Sequence, residues 1–300
     1  MIKNEDRRGA GTLYLCATPI GNLEDITFRV LKTLKEADLI AAEDTRNSMK
    51  LCSYFDIKTP LTSYHEFNKY DKAKVLVEKL LAGANIAVIT DAGTPGISDP
   101  GEELVRQCHE AGITVTSLPG ASACITALTM SGLPTRRFAF EAFLPADKQE
   151  RRELLEGLKD ETRTMIIYEA PHHLKKTLAE LMDTFGADRR VSLCRELTKK
   201  HENVFLTTFA EAAEYYEQNE PRGEYVLVIE GKSINEIKRE QQEKWENMSI
   251  SEHVGMYLSS GMDKKEAMKA AAKDRGVSKR DIYNEYIKTE NKGERFGEKI

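Results

Sequence analysis

The sequence lacks the features that define several classes of protein. No apolar run approaches the roughly 18 residues that a transmembrane helix needs, and residues 1–8 contain no apolar stretch of a secretory signal. The five cysteines, an odd number, form no C-x-x-C pair and no Cys/His cluster with zinc spacing. We therefore expect a cytoplasmic protein with no membrane association and no metal, in which most cysteines fill the core.

An excess of positive charge is also missing. The chain has 44 Lys and Arg against 49 Asp and Glu, a formal charge of −5. This balance argues against a wholly basic nucleic-acid coat protein but permits a local basic face. The composition, 40% hydrophobic and 31% charged over 300 residues, is that of a globular protein. The length suggests two domains and a small appendage.

Short apolar segments alternate with segments of helical spacing through the first 231 residues. This alternation predicts an α/β fold with an open, mostly parallel sheet in residues 11–134. A second α/β domain is predicted for residues 135–231. The predicted strands are 11–17, 38–42, 86–90, 113–118, 138–144, 164–168, 191–195 and 225–229.

Residues 232–300 differ from the preceding α/β regions in that they show no strand pattern. Capping boxes at Ser249, Asp263 and Ser278 predict a helical tail with a helix-turn-helix-like unit. One interpretation is a small structural cap. The other is a module that helps to hold nucleic acid, with Lys279 and Arg280 at the start of its last helix.

The densest polar motif directly follows the predicted strand 86–90. Residues 90–101 read T-D-A-G-T-P-G-I-S-D-P-G, which predicts a rigid turn at the carboxyl end of that strand, where open α/β sheets bind ligands. A structural turn is the simpler alternative, but it needs far fewer such residues. The motif contains neither the Gly-Lys-Ser/Thr of a Walker loop nor G-x-G-x-x-G.

Four further polar clusters follow other predicted strands. Loops at one edge of a sheet converge, so together these clusters should line one cleft. Taken singly, each is equally consistent with a turn or a helix cap. Asp44 and Arg46 could simply pair with each other, and His65 could be an ordinary polar histidine. The clusters are residues 17–25, 42–46, 63–68 and 118–123.

Taken in order, these motifs resemble the tetrapyrrole-methylase superfamily. Within it, the chain resembles the branch that methylates the ribose 2′-hydroxyl of a cytidine in small-subunit ribosomal RNA. The resemblance covers nearly all of residues 11–290, with two departures: Gly96 replaces a bulky aliphatic residue, and Asn47 replaces a more usual histidine. The motifs are 17–22, 43–46, 91–101, 118–120, 138–145, 168–173, 195–199 and 223–231.

The resemblance implies a fold, a cofactor and partners. It implies two α/β domains of the class III methyltransferase type, with S-adenosylmethionine in the cleft between them, and a homodimer. The implied substrate is a decoding-centre cytidine of 16S ribosomal RNA, within the small ribosomal subunit. The cofactor contacts that it implies are Pro19, Ala92, Gly93, Thr94, Ile97, Ser122, Ala123, Glu169 and Thr198.

Methyl transfer to a ribose needs alignment and a proton acceptor. The displacement is in line, and a ribose hydroxyl is a poor nucleophile until a positioned base removes its proton. The titratable candidates on the loops of the first domain are Asp25, Glu43, Asp44, His65 and Glu66. Among them we predict Asp44 or His65 as the base, with Arg46 holding a phosphate or orienting the base. Local bases could contact RNA phosphates: Arg136, Arg137, Lys148, Arg151, Arg152, Arg189, Arg190, Lys199, Lys200, Lys279 and Arg280.

Two alternatives remain at this point. One is another enzyme of the superfamily that methylates a tetrapyrrole or a modified histidine. The tail and the string Glu43–Arg46 favour the RNA branch over it. The other is a non-enzymatic nucleic-acid-binding protein built around the tail, which leaves the strand-end motifs unexplained.

Overall fold

The computed structural model describes residues 9–246 and 248–297. These residues belong to two compact units. The first unit comprises residues up to 156 together with 163–230, and contains both predicted α/β regions. The second unit comprises residues 157–162 and the chain from 231 onward.

The first sheet of the first unit is parallel, as predicted. Its strand order is β3-β2-β4-β1-β5, and every pairing between neighbours is parallel. All four residues of the central strand β4 are buried, because helices cover both faces of a parallel sheet. The strands are β1 (Thr12–Cys16), β2 (Leu39–Ala42), β3 (Leu61–Ser63), β4 (Ile86–Ile89) and β5 (Thr114–Leu118).

Helices pack on both faces of this sheet. Leu76 of α3 and Leu104 of α4 bury one face, and Leu34 of α1 and Cys52 of α2 bury the other. Helix α2 was not predicted, because its sequence lacks a clear apolar stripe. The helices are α1 (Phe28–Glu36), α2 (Thr45–Tyr54), α3 (Lys69–Leu81), α4 (Gly101–Glu110) and α5 (Ala123–Met130), with a 3-10 turn at Leu23–Asp25.

The second sheet of the same unit is mixed. Its order is β6-β7-β10-β8-β9, in which only the pair β6 and β7 is parallel. Strand β9 and helix α8 were not predicted. The elements are β6 (Phe138–Phe143), α6 (Lys148–Leu158), β7 (Thr164–Glu169), α7 (Leu174–Phe185), β8 (Arg190–Arg195), β9 (Asn203–Thr208), α8 (Phe209–Gln218) and β10 (Tyr225–Ile229).

The second unit contains helices with the predicted caps. Ser249 and Glu252 form a reciprocal capping box, and Asp263 accepts from two backbone N–H groups. Ser278 Oγ accepts from the backbone N–H of Asp281, whose carboxylate accepts in return. The helices are α9 (Ile234–Glu246), α10 (Ile250–Ser259), α11 (Lys264–Asp274) and α12 (Lys279–Gly297). The binding of nucleic acid by this unit stays a prediction.

The five cysteines are all free and buried, as expected for core residues. Within residues 9–246 and 248–297, no helix is long and apolar enough to cross a membrane. The same described residues contain no cluster of three or more His, Cys, Asp or Glu that could hold a metal ion.

Candidate functional site

A backbone bridge joins the loops that follow β1 and β4. The N–H of Thr18 donates to the carbonyl of Gly93 at 2.9 Å, and the N–H of Gly93 donates back at 3.0 Å. Gly93 has a φ of +84°, which L side chains rarely adopt. The two polar clusters that the sequence places after separate strands therefore form one site, because β1 and β4 are neighbours in the sheet.

The loop after β4 is held rigid by one carboxylate. Asp99 accepts hydrogen bonds from the backbone N–H groups of Gly96 at 2.8 Å, Ile97 at 3.3 Å and Gly101 at 2.6 Å. Thr94 Oγ1 ties the same loop to the carbonyl of Ala121 at 2.9 Å. These bonds fix the loop with its backbone groups presented to the adjoining cavity.

A cavity of about 550 Å³ lies between the strand ends of the two sheets, and we call it the first cavity. Its size is that of a pocket for a cofactor-sized molecule. The loop after β4 and the start of α5 form one side, and the ends of β7, β8 and β10 form the other. Seven of the predicted cofactor-contacting residues line it: Ala92, Gly93, Thr94, Ile97, Ser122, Ala123 and Glu169.

The other two predicted contacts lie elsewhere. Pro19 lines a separate cavity. Thr198 Oγ1 accepts a hydrogen bond from the backbone N–H of Asn22 at 3.0 Å, and Thr198 is not among the residues that line the first cavity. A role for either residue in cofactor binding therefore stays a prediction.

The second-sheet side of the first cavity combines an aromatic wall with a buried acid. Tyr168 packs edge-on against Phe140 and Phe143, with ring centroids 5.0 and 5.5 Å apart, and its hydroxyl accepts from the N–H of Cys124 at 3.2 Å. Glu169 is buried and accepts from the backbone N–H of Ala170 at 2.8 Å. An apolar wall with few fixed polar groups suits a planar ring such as adenine.

A second cavity of about 390 Å³ lies on the other side of the bridge, and we call it the α2 cavity. It is lined by the loop after β1, by one face of helix α2, and by Thr90 and Asp91. Thr90 and Asp91 also line the first cavity. The two cavities are therefore adjacent and share this wall.

Glu43 is a candidate that the sequence analysis did not choose. It directly follows β2, lines the first cavity, and its Oε2 accepts from the backbone N–H of Asp91 at 3.5 Å. Burial raises the pKa of the Glu43 carboxyl, and the negative charges of Asp91 and Asp99 raise it further. The sequence signal that could have identified Glu43 is its position as the first polar residue after the buried strand β2.

Asp44 and Arg46, two of the predicted catalytic residues, pair with each other. Asp44 is the N-cap of α2: its Oδ1 accepts from the backbone N–H of Arg46 at 2.8 Å, and the guanidinium of Arg46 donates to Oδ2 at 2.8 Å. These bonds lower the pKa of Asp44 to about 2. Neither residue is among those that line the two cavities. Their catalytic role stays a prediction.

His65, the third predicted catalytic residue, lies in the loop after β3. Its backbone N–H donates to Asn68 Oδ1 at 2.9 Å, and its Nε2 lies 3.3 Å from Asn68 Nδ2. Its Nδ1 is buried and has no hydrogen-bond partner among the described residues. A positive charge on His65 would lower the pKa of Glu43, which shows that the two side chains are close enough to interact. The role of His65 likewise stays a prediction.

Several predicted phosphate contacts are already paired. Arg151 donates to Glu180 at 2.6 Å, and Lys199 donates to Glu196 at 3.0 Å and to Glu224 at 2.7 Å. Arg190 lies 3.6 Å from Glu230. Exposed among the predicted bases are Arg136, Arg137, Lys148, Arg152, Arg190, Lys200, Lys279 and Arg280.

The two sheets and the cavity between their strand ends define an α/β protein with a cofactor-sized site built from loops. The chain belongs to the tetrapyrrole (corrin/porphyrin) methylase family, whose model matches residues 12–213. It is a methyltransferase whose cofactor is S-adenosylmethionine, as predicted. This result excludes the non-enzymatic alternative.

Two relatives match over nearly their whole length. The chain is 51% identical over 283 residues to ribosomal RNA small subunit methyltransferase I of Halalkalibacterium halodurans, which covers 94% of this chain and 96% of the relative. It is 48% identical over 276 residues to the protein of the same name from Bacillus subtilis, which covers 92% and 94%. Within the family, the chain therefore groups with the relatives of that name, as predicted.

Solved structures share the fold at low identity. The chain is similar to a diphthine synthase with a TM-score of 0.60 and 13% identity, covering 74% of this chain and 91% of that one. It is also similar to a Thermus thermophilus uroporphyrin-III C-methyltransferase complexed with S-adenyl homocysteine, with a TM-score of 0.52 and 18% identity, covering 73% and 97%. The predicted fold class is confirmed.

Proposed function

We propose that this protein methylates the ribose 2′-hydroxyl of a decoding-centre cytidine in 16S ribosomal RNA, within the small ribosomal subunit. The observation that carries the proposal is the near full-length similarity, at 51% identity, to a protein named ribosomal RNA small subunit methyltransferase I. The substrate implies a cytoplasmic location, where ribosomal subunits are assembled. The first cavity supplies a site for the methyl donor.

The residues of the first cavity fit S-adenosylmethionine. We propose that the backbone of residues 92–97 and the pair Ser122 and Ala123 hold it on one side, and that Glu169 contacts it on the other. The volume of about 550 Å³ and the aromatic wall at Tyr168 support this assignment. When bound, the cofactor supplies an electrophilic methyl group, and the protein supplies alignment.

We propose Glu43 as the proton acceptor for the ribose hydroxyl. It lines the first cavity, and its raised pKa makes it a stronger base than an ordinary carboxylate. His65, with its unpartnered Nδ1, stays in the proposal as a neighbouring group. Arg46, whose side chain is 84% exposed, is proposed to contact a phosphate at the rim.

We also propose that the protein acts as a homodimer. Exposed large apolar side chains of the first unit, among them Ile125 and Leu206, are 45% and 43% accessible in the single chain. Such residues are candidates for burial against a second copy. Light scattering on the wild type and on the variant Leu206→Glu would test this assembly.

Mass spectrometry of small-subunit RNA tests the proposed function. Small ribosomal subunits from cells that lack the methyl group would be incubated with the protein and S-adenosylmethionine, and nuclease fragments would be searched for a ribose-methylated cytidine. We expect one modified cytidine near the decoding centre. Transfer of the methyl group to a tetrapyrrole or to a protein with a modified histidine, with no methylation of RNA, would favour the other branches of the family.

A further inference from the structure

The α2 cavity has a wall in common with the first cavity. Thr90 and Asp91 line both, so an atom bound beside them in the α2 cavity lies next to the proposed methyl-donor site. An in-line transfer needs the methyl donor and the acceptor oxygen to be adjacent, as two sites with a common wall would place them. We infer that the α2 cavity binds the acceptor nucleotide, a pyrimidine ribonucleotide unstacked from its RNA, with its ribose at Asp91. This inference rests on the proposed function.

Helix α2 presents a consistent set of side chains to this cavity. Asn47, Leu51 and Tyr54 recur at i, i+4 and i+7, and Lys50 lies beside them, so they share one helix face. The loop after β1 supplies Pro19 and other residues on the opposite wall. The result is a slot lined by aromatic, aliphatic and polar side chains.

Tyr54 provides a stacking surface for a base. Its side chain is 67% exposed, and the edge-on contact with Phe55, at a centroid distance of 4.8 Å, supports the ring from one side. Unpaired bases in protein–RNA complexes stack on exposed aromatic rings of this kind. Leu51 and Pro19 add apolar surface to the slot.

The charges of the α2 cavity match a single nucleotide. Among the described residues that line it, Lys50 is the one cation and Asp91 the one carboxylate. Lys50 makes no ion pair within residues 9–246 and 248–297, so its ammonium is available to a phosphate. Asp91 accepts from Asn47 Nδ2 at 3.5 Å and retains acceptor capacity for a ribose hydroxyl. A tetrapyrrole, with its many carboxylates, would require more cations than this lining offers.

The test compares variants of the α2 face with matched controls on other helices. Tyr54→Leu and Lys50→Gln alter the proposed nucleotide site. Tyr70→Leu on α3 and Lys35→Gln on α1 remove the same kinds of exposed side chain outside both cavities. Three quantities would be measured: the Kd for S-adenosylmethionine, the KM for unmethylated small subunits, and the Kd for fluorescein-labelled oligocytidylate with S-adenosylhomocysteine present. Thermal unfolding would confirm that each variant is folded.

We expect Tyr54→Leu to raise the KM for subunits and the Kd for oligocytidylate roughly tenfold, as loss of one stacked base predicts. Lys50→Gln should also weaken the salt dependence of oligocytidylate binding. The slope of log affinity against log salt should fall in magnitude by about 0.7, the value for one phosphate contact to a single strand. The Kd for S-adenosylmethionine should change less than twofold in both variants. The two controls should match the wild type in every measurement.

Three outcomes would overturn the inference. Unchanged RNA affinities in both α2 variants, or no oligocytidylate binding by the wild type, would remove the nucleotide from this cavity. A parallel rise in the Kd for S-adenosylmethionine would assign the cavity to the cofactor. If the wild type fails to methylate RNA but binds oligocytidylate through Tyr54 and Lys50, the proposed function fails while the nucleotide site stands.

Discussion

At the scale of single residues, the segment Glu43–Arg46 shows how adjacent positions acquire different structural roles. Glu43 directly follows β2 and lines the first cavity, whereas Asp44 directly precedes α2 and is its N-cap. The change from strand to helix turns the two side chains in different directions. The raised pKa of Glu43 and the lowered pKa of Asp44 follow from burial in one case and from hydrogen bonds with Arg46 in the other.

Replacing Glu43 with Gln should lower kcat about a hundredfold or more, since a general base contributes roughly 10²–10⁴-fold. In the wild type, the carboxylate form is lost as the pH falls through its raised pKa, so the acid limb of kcat should lie above the ordinary value of glutamate. That limb should disappear in Glu43→Gln. The pH profile of methylation checks this, and an unchanged profile would remove Glu43 from the reaction.

Replacing Asp44 with Asn serves as the contrasting variant. It removes the ion pair with Arg46 but keeps a side chain that can cap α2. We expect kcat within about threefold of the wild type and a small loss of thermal stability. The stabilising effect of Asp44 is present above its unfolded pKa near 3.8 and is lost as the pH falls towards 2. A collapse of kcat in Asp44→Asn would instead support the original prediction of Asp44 as base.

Gly93 supplies a prediction about the cofactor loop. Its φ of +84° costs an alanine about 1–2 kcal/mol, and an added Cβ would lie 3.5 Å from Ile20. Relief of that strain would move the backbone that lines the first cavity, so Gly93→Ala should raise the Kd for S-adenosylmethionine roughly tenfold. Calorimetry checks this. Gly255→Ala, where a Cβ meets nothing within 4 Å, should bind the cofactor like the wild type.

At the scale of elements, the second unit is organised around a buried histidine. His253 of α10 is 0% exposed, stacks on Trp245 at a centroid distance of 3.9 Å and packs against Tyr257. Its Nδ1 accepts from Arg275 Nε at 3.0 Å, and its Nε2 lies 3.3 Å from Asp274 Oδ2. These contacts join α9, α10 and the end of α11.

This arrangement predicts a pH dependence for the stability of the second unit. Burial and the charge of Arg275 lower the pKa of His253 below its ordinary 6.5, although Asp274 opposes them. The unfolded chain therefore takes up the proton first, and stability falls as the pH drops below 6.5. Urea unfolding followed by the fluorescence of Trp245, the single tryptophan, should show a lower midpoint at acid pH. This difference should shrink in His253→Gln and persist in the exposed-histidine control His109→Gln.

At the scale of the whole molecule, the net charge of −5 conceals an uneven distribution. The chain from residue 232 carries +2 and the rest carries −7. Within the first unit, Arg151 and Lys199 are paired with acids, which leaves fewer bases for phosphate contacts than the sequence suggested. Lys279 and Arg280, at the exposed start of α12, are therefore the bases of the second unit that we expect to matter most.

The double variant Lys279→Gln/Arg280→Gln should raise the KM for small subunits and make that KM less sensitive to salt. Two lost phosphate contacts predict a change of about 1.4–1.8 in the slope of log affinity against log salt. The Kd for S-adenosylmethionine should not change. Steady-state methylation at several salt concentrations checks this. A salt slope equal to that of the wild type would assign the tail a purely structural role.

Patterns local to the chain predicted most of the strands of both sheets. The apolar runs at 86–90 and 225–229 became β4 and β10 with ends within one residue. Helix α8 was missed although Thr208 and Glu211 form a capping box, and β9 was missed because its alternation is weak. The antiparallel pairing of the second sheet has no signal within any one strand, because pairing is a property of two strands.

The α/β class, the strand-end loops and the buried cysteines could be predicted from the amino-acid sequence, because they depend on apolar runs, turn residues and side-chain size within short segments. The placement of β1 beside β4, which brings Thr18 to Gly93 and creates two adjacent cavities, became visible in the folded chain. The folded chain also shows that Glu43 lines the first cavity while Asp44 caps a helix. The physical reason is that a site depends on distances between residues far apart in the chain, and those distances are fixed only when the sheet assembles.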